Sequence, residues 1–220
     1  MNRRIFLMKR ILALFLTLFL LAALSACKGA ETGGSTTPSK EPLESSSAAR
    51  STSETQPEKT AQKSLVVFFS WSGNTRNVAE AIQKQTGSDI FEIKPKTPYS
   101  TDYKTVVDDA KKEQQSNARP EIDGVIENLA DYDTVYVGFP NWWGDMPMIL
   151  YSFFDAYDLS GKTVALFCTS GGSGLSDTVN EVKQLESGAT VTEGLHIGSG
   201  ASSNPDDAVA KWLGEIGTVK

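Results

Sequence analysis

The side chains with the clearest chemical potential form the stretch Ser70-Trp71-Ser72-Gly73-Asn74-Thr75. It follows an apolar run at 65–69 and opens an amphipathic segment at 74–85, which is typical of a turn between a buried strand and a helix. The N–H groups of such a turn and the dipole of the helix favour a bound anion. The hydroxyl groups add donors, and the glycine lets the backbone approach a ligand closely. The stretch therefore predicts a phosphate site.

Two later stretches could hold the rest of a ligand. One reads Pro140-Asn141-Trp142-Trp143-Gly144-Asp145 and follows an apolar run at 134–139. Adjacent tryptophans in a loop either divide between core and surface or form a wall for a flat ring, and we favour the wall. The other reads Thr169-Ser170-Gly171-Gly172-Ser173-Gly174; it is rich in hydrogen-bond donors, although alone it could be only a turn. Together the three stretches predict a phosphorylated planar heterocycle.

The segments that must position these residues alternate between apolar runs and amphipathic stretches. This alternation predicts an α/β fold, a doubly wound parallel sheet with helices on both faces. In such sheets ligands bind beyond the carboxyl ends of the strands, where the three stretches lie. The predicted strands span 65–69, 89–94, 134–139, 163–169 and 191–197. The predicted helices span 74–85, 101–115, 147–157, 175–186 and 205–216, with a short helical turn at 125–129.

The N-terminus resembles an export signal. Basic residues precede an apolar run at 11–24 that is short for a membrane span, and the run ends in Leu24-Ser25-Ala26-Cys27. This ending resembles a bacterial lipobox, which implies lipidation and cleavage at Cys27. A plain secretory signal or a short uncleaved anchor is the alternative. We therefore expect a lipoprotein signal peptide at 1–27 and an extracytoplasmic protein anchored to the membrane by lipid.

Residues 28–63 are rich in Ser, Thr, Glu, Lys, Pro and Ala, which predicts a disordered tether. The remaining residues, 64–220, have the length of one domain. The chain carries a net charge of −6, and acidic side chains outnumber basic ones within the domain, so we expect no nucleic-acid partner. The acidity favours solubility and could also steer a basic partner.

The few metal-ligating side chains indicate neither a metal site nor a hydrolytic triad. The chain has one histidine, His196, and two cysteines. Lipidation of Cys27 would leave Cys168 as a free thiol, for which we predict a buried position. For His196 we predict a structural role.

Residues 64–220 resemble a short-chain flavodoxin, whose phosphate loop reads Thr/Ser-x-Thr-Gly-Asn-Thr after the first strand. The resemblance implies a five-stranded sheet in the order 2-1-3-4-5 and noncovalently bound FMN. By position it assigns the phosphate to Ser70, Ser72, Gly73, Asn74 and Thr75. It assigns the isoalloxazine ring to Pro140, Asn141, Trp142, Trp143 and Gly144, with Tyr103 within reach, and the pyrimidine side to Thr169, Ser170, Gly171 and Gly172. Trp71 and Arg76 depart from the family pattern, and we expect Trp71 to shield the phosphate and Arg76 to add a charge.

These expectations leave three hypotheses for the function. The favoured one is an electron carrier that exchanges electrons with redox proteins, including membrane-bound ones, and has no catalytic side chain of its own. The second is an FMN-dependent NAD(P)H:quinone-type oxidoreductase on the same fold, which needs room for a second substrate. The third is a binding module that has lost the flavin.

Overall fold

The computed structural model describes residues 63–218. The predicted signal peptide, Cys27 and the tether up to residue 62 lie outside the described residues. Within 63–218, no helix is both long enough and apolar enough to cross a membrane.

Eight strands and five α-helices alternate along the described chain. The strands are β1 (Ser64–Phe68), β2 (Asp89–Glu92), β3 (Lys94–Pro95), β4 (Ile122–Asp123), β5 (Thr134–Pro140), β6 (Thr163–Ser170), β7 (Thr190–Val191) and β8 (Leu195–Gly198). The helices are α1 (Asn74–Thr86), α2 (Tyr103–Ser116), α3 (Met148–Ala156), α4 (Thr178–Leu185) and α5 (Asp206–Glu215), with a 3-10 turn at Leu129–Asp131.

The main sheet is parallel, and its order is β2-β1-β5-β6, with β7 and β8 both beside β6. The predicted α/β fold and the predicted order 2-1-3-4-5 are therefore confirmed, with β7 and β8 together in the fifth position. The strand order reverses between β1 and β5. The carboxyl ends of these strands and of β6 consequently meet at one edge of the sheet, where the three stretches begin.

Both faces of the sheet are buried, because successive side chains of a strand point to opposite sides. Val67, Val137 and Leu166 face one apolar cluster, which includes side chains of α3 and α4. Val66, Tyr136 and Phe167 face a second cluster, formed with α1 and α5. Continuous apolar runs are required of strands buried on both faces, which explains why the sequence revealed them.

The fifth strand differs from its prediction because it is interrupted. The break at Glu193 and Gly194 separates β7 from β8. The carbonyl oxygen of Glu193 accepts a hydrogen bond from Trp212 Nε1 at 3.0 Å, and a Cβ on Gly194 would lie 2.7 Å from Leu175 Cδ1. The Glu193 carbonyl is therefore bonded to a side chain instead of a strand, and Leu175 leaves no room for a side chain at position 194.

Three local predictions were displaced. The predicted helix at 175–186 begins only at Thr178, because Ser176 has a left-handed φ of 54° and the Leu175 carbonyl accepts the Thr178 hydroxyl at 2.6 Å. The predicted turn at 125–129 lies at Leu129–Asp131. The segment 122–123 was predicted as loop, and residue 94 as the end of the second strand. Segments 94–95 and 122–123 instead pair as the small antiparallel sheet β3–β4.

Candidate functional site

The turn between β1 and α1 has the geometry of an anion site. Gly73 stands immediately before α1 with a φ of 91°, a left-handed conformation that glycine adopts without strain. The first turn of α1 contains no acidic residue and receives no side-chain cap from Gly73. The positive end of the helix dipole is therefore not neutralised by the helix itself.

The two serines of the turn have different roles. The Ser70 oxygen accepts hydrogen bonds from the N–H groups of Gly73 at 3.2 Å and of Arg76 at 3.3 Å, so it shapes the turn. Ser72 is exposed, and no hydrogen bond to it is formed by any other residue of 63–218. Its hydroxyl and N–H groups are therefore available to a ligand.

Asn74 and Thr75 connect the turn to distant strands. The Thr75 hydroxyl, which is 1% exposed, forms a hydrogen bond of 2.9 Å with the Thr169 hydroxyl at the end of β6. The Asn74 side-chain oxygen accepts a hydrogen bond of 3.0 Å from buried Ser202. Thr75 and Thr169, predicted to contact different parts of a ligand, thus hold two of the loops together.

We expect Thr169→Val to lower the free energy of unfolding of the ligand-free protein by about 1–3 kcal/mol, because it leaves the buried Thr75 hydroxyl without a partner. The double variant Thr75→Val/Thr169→Val removes both hydroxyls and is expected to be closer to wild type than the single variant. Urea denaturation of wild type, Thr75→Val, Thr169→Val and the double variant measures the coupling. Additive losses would contradict the importance of this hydrogen bond.

Arg76 does not point its charge at the turn. Its guanidinium group pairs with the Glu92 carboxylate on β2. The charge of Arg76, which departs from the family pattern, is therefore paired with Glu92. The donors of the turn itself are neutral N–H and hydroxyl groups.

Asn141 connects the tryptophan loop with the glycine-rich loop. Its backbone N–H donates to the Thr169 carbonyl at 2.9 Å, and its side-chain Nδ2 donates to the Gly174 carbonyl at 3.1 Å. Its Oδ1 accepts from the Gly144 N–H at 3.0 Å. Pro140, the last residue of β5, pairs in register with Thr169. The ends of β5 and β6 and their loops thus form one connected unit.

The two tryptophans occupy different environments. Trp142 is half-buried and packs edge-on against Phe69 and Tyr99, with ring centroids 5.4 and 5.2 Å apart. Trp143 is 50% exposed and lies against α2, where its Nε1 donates to the Val107 carbonyl at 3.0 Å. The residues Trp142 to Asp145 form a tight turn in which Trp143 and Gly144 have φ values of 57° and 80°.

An aromatic cavity of about 250 Å³ lies between α2 and the turns. Both tryptophans of the loop line it together with Trp71 and Tyr103. The Trp71 Nε1 donates to the Ser100 carbonyl at 2.9 Å, and Tyr103 is 71% exposed. A larger groove of about 780 Å³ lies along α2 and β3 and is lined by none of the residues of the three loops. Its charged walls include the ion pairs Lys96–Glu121 and Lys112–Asp109.

The glycine-rich loop is organised by Ser170. Its oxygen lies 3.2 Å from the Gly172 nitrogen, 3.1 Å from the Gly174 nitrogen and 2.8 Å from His196 Nε2. A Cβ on Gly171 or Gly172 would have no heavy atom within 4 Å, so the backbone there is open to a ligand. His196 thus forms a hydrogen bond within the fold, as expected for a structural histidine, and its partner Ser170 is one of the residues predicted to contact the ligand.

A family model described as flavodoxin matches residues 63–216, nearly all of the described chain. The chain belongs to the flavodoxin family. None of the curated proteins compared with this flavodoxin matches it.

Three solved structures resemble this flavodoxin over their whole lengths. A protein assigned as a flavoprotein from Bacteroides eggerthii is 32% identical, with 73% of this chain and 100% of that chain covered and a TM-score of 0.65. Its counterpart from Bacteroides uniformis is 29% identical, with 70% and 98% covered and a TM-score of 0.63. A Lactobacillus acidophilus flavoprotein in complex with FMN is 28% identical, with 69% and 99% covered and a TM-score of 0.57.

Sequence reasoning missed several residues that support the site of this flavodoxin. Asp145 accepts hydrogen bonds from the Met146 N–H at 2.6 Å and from the Tyr151 hydroxyl at 3.0 Å, and so fixes the end of the tryptophan turn. Burial and the nearby carboxylates raise the pKa of Tyr151, so the hydroxyl stays a donor. Asp145 could have been found as a carboxylate within the loop. The sequence around Tyr151 and Ser202 contains no pattern that would have predicted their roles.

Cys168 is buried, as predicted. Burial raises the pKa of its thiol to about 12, and its Sγ lies 3.4 Å from the Gly174 carbonyl. The protonated thiol therefore adds a weak hydrogen bond to the glycine-rich loop.

Proposed function

We propose that this flavodoxin binds FMN and carries electrons between redox proteins. The observation that carries the proposal is the convergence of the three loops at one sheet edge, linked by Thr75, Thr169 and Asn141. The FMN in the Lactobacillus acidophilus relative supports the choice of ligand. The turn suits a phosphate, because Ser72 is exposed and the N-terminal turn of α1 contains no acidic residue.

The residues present fit FMN part by part. Ser72 and the N–H groups of Asn74 and Thr75 would hold the phosphate, while Ser70 shapes the turn by accepting from the N–H groups of Gly73 and Arg76. Trp142 and Trp143 would face the ring, and the open backbone at Gly171 and Gly172 would face its pyrimidine edge. Bound FMN would supply one- and two-electron transfer, which the side chains of the chain cannot perform.

The chain's own residues would set the environment of the ring. The Trp143 side chain is held by α2 through the Val107 carbonyl and by Lys111, whose Nζ lies 4.6 Å from the ring centroid. This arrangement keeps a large aromatic surface at the edge of the site, where it would exclude water from one side of a flat ligand. Electron exchange then requires only that the opposite edge remain accessible to a redox partner.

A second candidate function is an FMN-dependent NAD(P)H:quinone-type oxidoreductase. The aromatic cavity of about 250 Å³ favours it, because such a space could take a planar second substrate beside the ring. The two functions differ in one measurable property. An oxidoreductase oxidises NAD(P)H by itself, whereas an electron carrier needs a separate reductase.

Titration of the domain with FMN tests the proposal. We expect quenching of flavin fluorescence with one FMN bound per chain, and reversible photoreduction of the complex. We expect negligible NADH or NADPH oxidation with a quinone unless a reductase is added. Absence of FMN binding would overturn the proposal, and sustained turnover by the lone protein would favour the oxidoreductase. Riboflavin is the matched control, because it lacks only the phosphate.

We also propose that the flavodoxin works outside the cytoplasmic membrane, anchored through lipidated Cys27. The support is the basic and apolar sequence ahead of Leu24-Ser25-Ala26-Cys27. Mass spectrometry of the membrane-bound protein tests it, and we expect an N-terminal, diacylglyceryl-modified Cys27 in wild type and an uncleaved, unmodified chain in Cys27→Ser. The proposal fails if wild-type Cys27 carries no lipid.

A further inference from the structure

Ser170 is the hydrogen-bond centre of the glycine-rich loop. A serine hydroxyl can accept two hydrogen bonds and donate one. Here the N–H groups of Gly172 and Gly174 occupy both acceptor positions, at 3.2 and 3.1 Å. The hydroxyl proton therefore points to His196 Nε2, which lies 2.8 Å away.

These three hydrogen bonds of Ser170 determine the tautomer of His196. Nε2 must be unprotonated in order to accept from Ser170, so the ring proton of neutral His196 resides on Nδ1. A protonated imidazole would instead direct an N–H at an oxygen whose acceptor positions are already filled. Protonation of His196 consequently competes with the hydrogen bonds that hold Gly172 and Gly174.

We propose that His196 is a positioning residue for the FMN loop: by accepting the Ser170 proton, it keeps the Ser170 oxygen available to hold the Gly172 and Gly174 backbone for the ligand. This proposal rests on the proposed FMN function. The hydrogen bond requires a neutral His196, because a protonated imidazole has no acceptor for the Ser170 proton. FMN affinity is thus linked to a proton on a residue outside the loop itself.

The polar contact of His196 Nε2 is the Ser170 hydroxyl. The charged groups near β8 lie on the neighbouring elements. Ile197 points to the cluster with α5, so neighbouring His196 points to the opposite face. On β6, the residue in register is Cys168, whose raised pKa keeps it neutral. On the far face α5 carries Asp206, which pairs with Lys84, together with Asp207 and the pair Lys211–Glu215. The His196 side chain is itself exposed, and the helix on its side of the sheet is α4, which carries Glu181 and Lys183 and is preceded by Asp177.

NMR tests the hydrogen bond directly, because His196 is the one histidine of the chain and its ring signals need no assignment. In the ligand-free protein at pH 8 we expect the ring ¹⁵N shifts of His196 to report the tautomer with its proton on Nδ1. Ser170→Ala removes the donor to Nε2, so we expect it to move these shifts towards a mixture of the two neutral tautomers. Thr192→Ala is the control, because it removes a hydroxyl beside β8 outside the loop and should leave the shifts unchanged. Unchanged ring ¹⁵N shifts in Ser170→Ala overturn the proposal.

FMN affinity at pH 8 and pH 5.5 tests the role in binding. His196→Gln can accept from Ser170 at both pH values, so we expect wild-type affinity at pH 8 and retained affinity at pH 5.5. Between pH 8 and pH 5.5 we expect the FMN affinity of wild type to fall about fivefold more than that of His196→Gln. This difference corresponds to the loss of one hydrogen bond. The ligand phosphate, which titrates near pH ~6, contributes equally to both proteins. His196→Ala should be about fivefold weaker than wild type at pH 8.

The outcomes separate the two proposals. Equal pH dependence in wild type and His196→Gln overturns the positioning role, even if both proteins bind FMN well. Absence of FMN binding by every variant at pH 8 overturns the proposed function and the role of His196 in it. The NMR comparison of wild type and Ser170→Ala then still decides whether the hydrogen bond exists.

Discussion

Ser72→Glu is expected to weaken FMN binding by about 100-fold or more, while riboflavin binding changes by less than about threefold. Ser72 is exposed at the turn before α1 and makes no hydrogen bond to another residue of 63–218, so the substitution leaves the fold intact. A carboxylate there approaches a phosphate that carries about −1.5 to −2 charges. Near a protein surface, two like charges about 4 Å apart repel by several kcal/mol.

Ser72→Gln is the matched control, because it has nearly the same shape and no charge. We expect it to weaken FMN binding by about tenfold, the lower end of the cost of losing one hydroxyl donor to a charged acceptor, because the amide N–H can donate in its place. Calorimetric or fluorescence titration of both variants with FMN and with riboflavin gives four affinities. If Ser72→Glu binds FMN as tightly as Ser72→Gln does, the phosphate does not lie at this turn.

Gly138→Ala is expected to lower the free energy of unfolding by about 3 kcal/mol, at the upper end of the usual cost of overpacking. Gly138 lies on β5, and a Cβ there would be 2.0 Å from the Phe167 ring. Phe167, on β6, is fully buried in the cluster formed with α1 and α5, so its ring cannot move out into solvent. The strand would have to shift, and with it the Asn141 anchor three residues further along.

The control for this prediction is the same substitution at Gly214. That glycine lies in α5, and its added Cβ meets no heavy atom within 4 Å. We expect Gly214→Ala to be as stable as wild type or up to about 1 kcal/mol more stable. Phe167→Leu in the Gly138→Ala background should recover part of the loss. Urea denaturation that finds Gly138→Ala and Gly214→Ala equally stable would contradict the packing argument.

The sheet and the place of the site could be predicted from the sequence for one physical reason. Strands buried on both faces must be continuously apolar, and parallel strands bring their carboxyl ends to one edge. The alternation therefore placed the turn at 70–75 beside the loops at 140–145 and 169–174. The small sheet β3–β4 escaped prediction, because Lys94 and Pro95 show no apolar alternation and their pairing depends on the tertiary fold.

The contacts within the site could not be predicted, because they join residues that are far apart in sequence. Ser202 and Asn74 are separated by 128 positions, and Thr75 and Thr169 by 94. A hydroxyl in a phosphate turn can face the ligand or another hydroxyl, and only the packing of α1 against the sheet decides between them. The sequence left two arrangements open for Trp142 and Trp143 and favoured a wall for a flat ring. The structure packs half-buried Trp142 against Phe69 and lays exposed Trp143 against α2.

The left-handed conformation of Trp143 has a consequence for the evolution and engineering of this chain. Its φ of 57° is uncommon for a bulky residue and stores on the order of 1–3 kcal/mol of strain. Glycine would adopt that conformation freely, but it would lose the hydrogen bond to the Val107 carbonyl and the contact with Lys111. It would also remove the indole at the edge of the site. The strain at Trp143 is therefore the cost of holding an indole at this position.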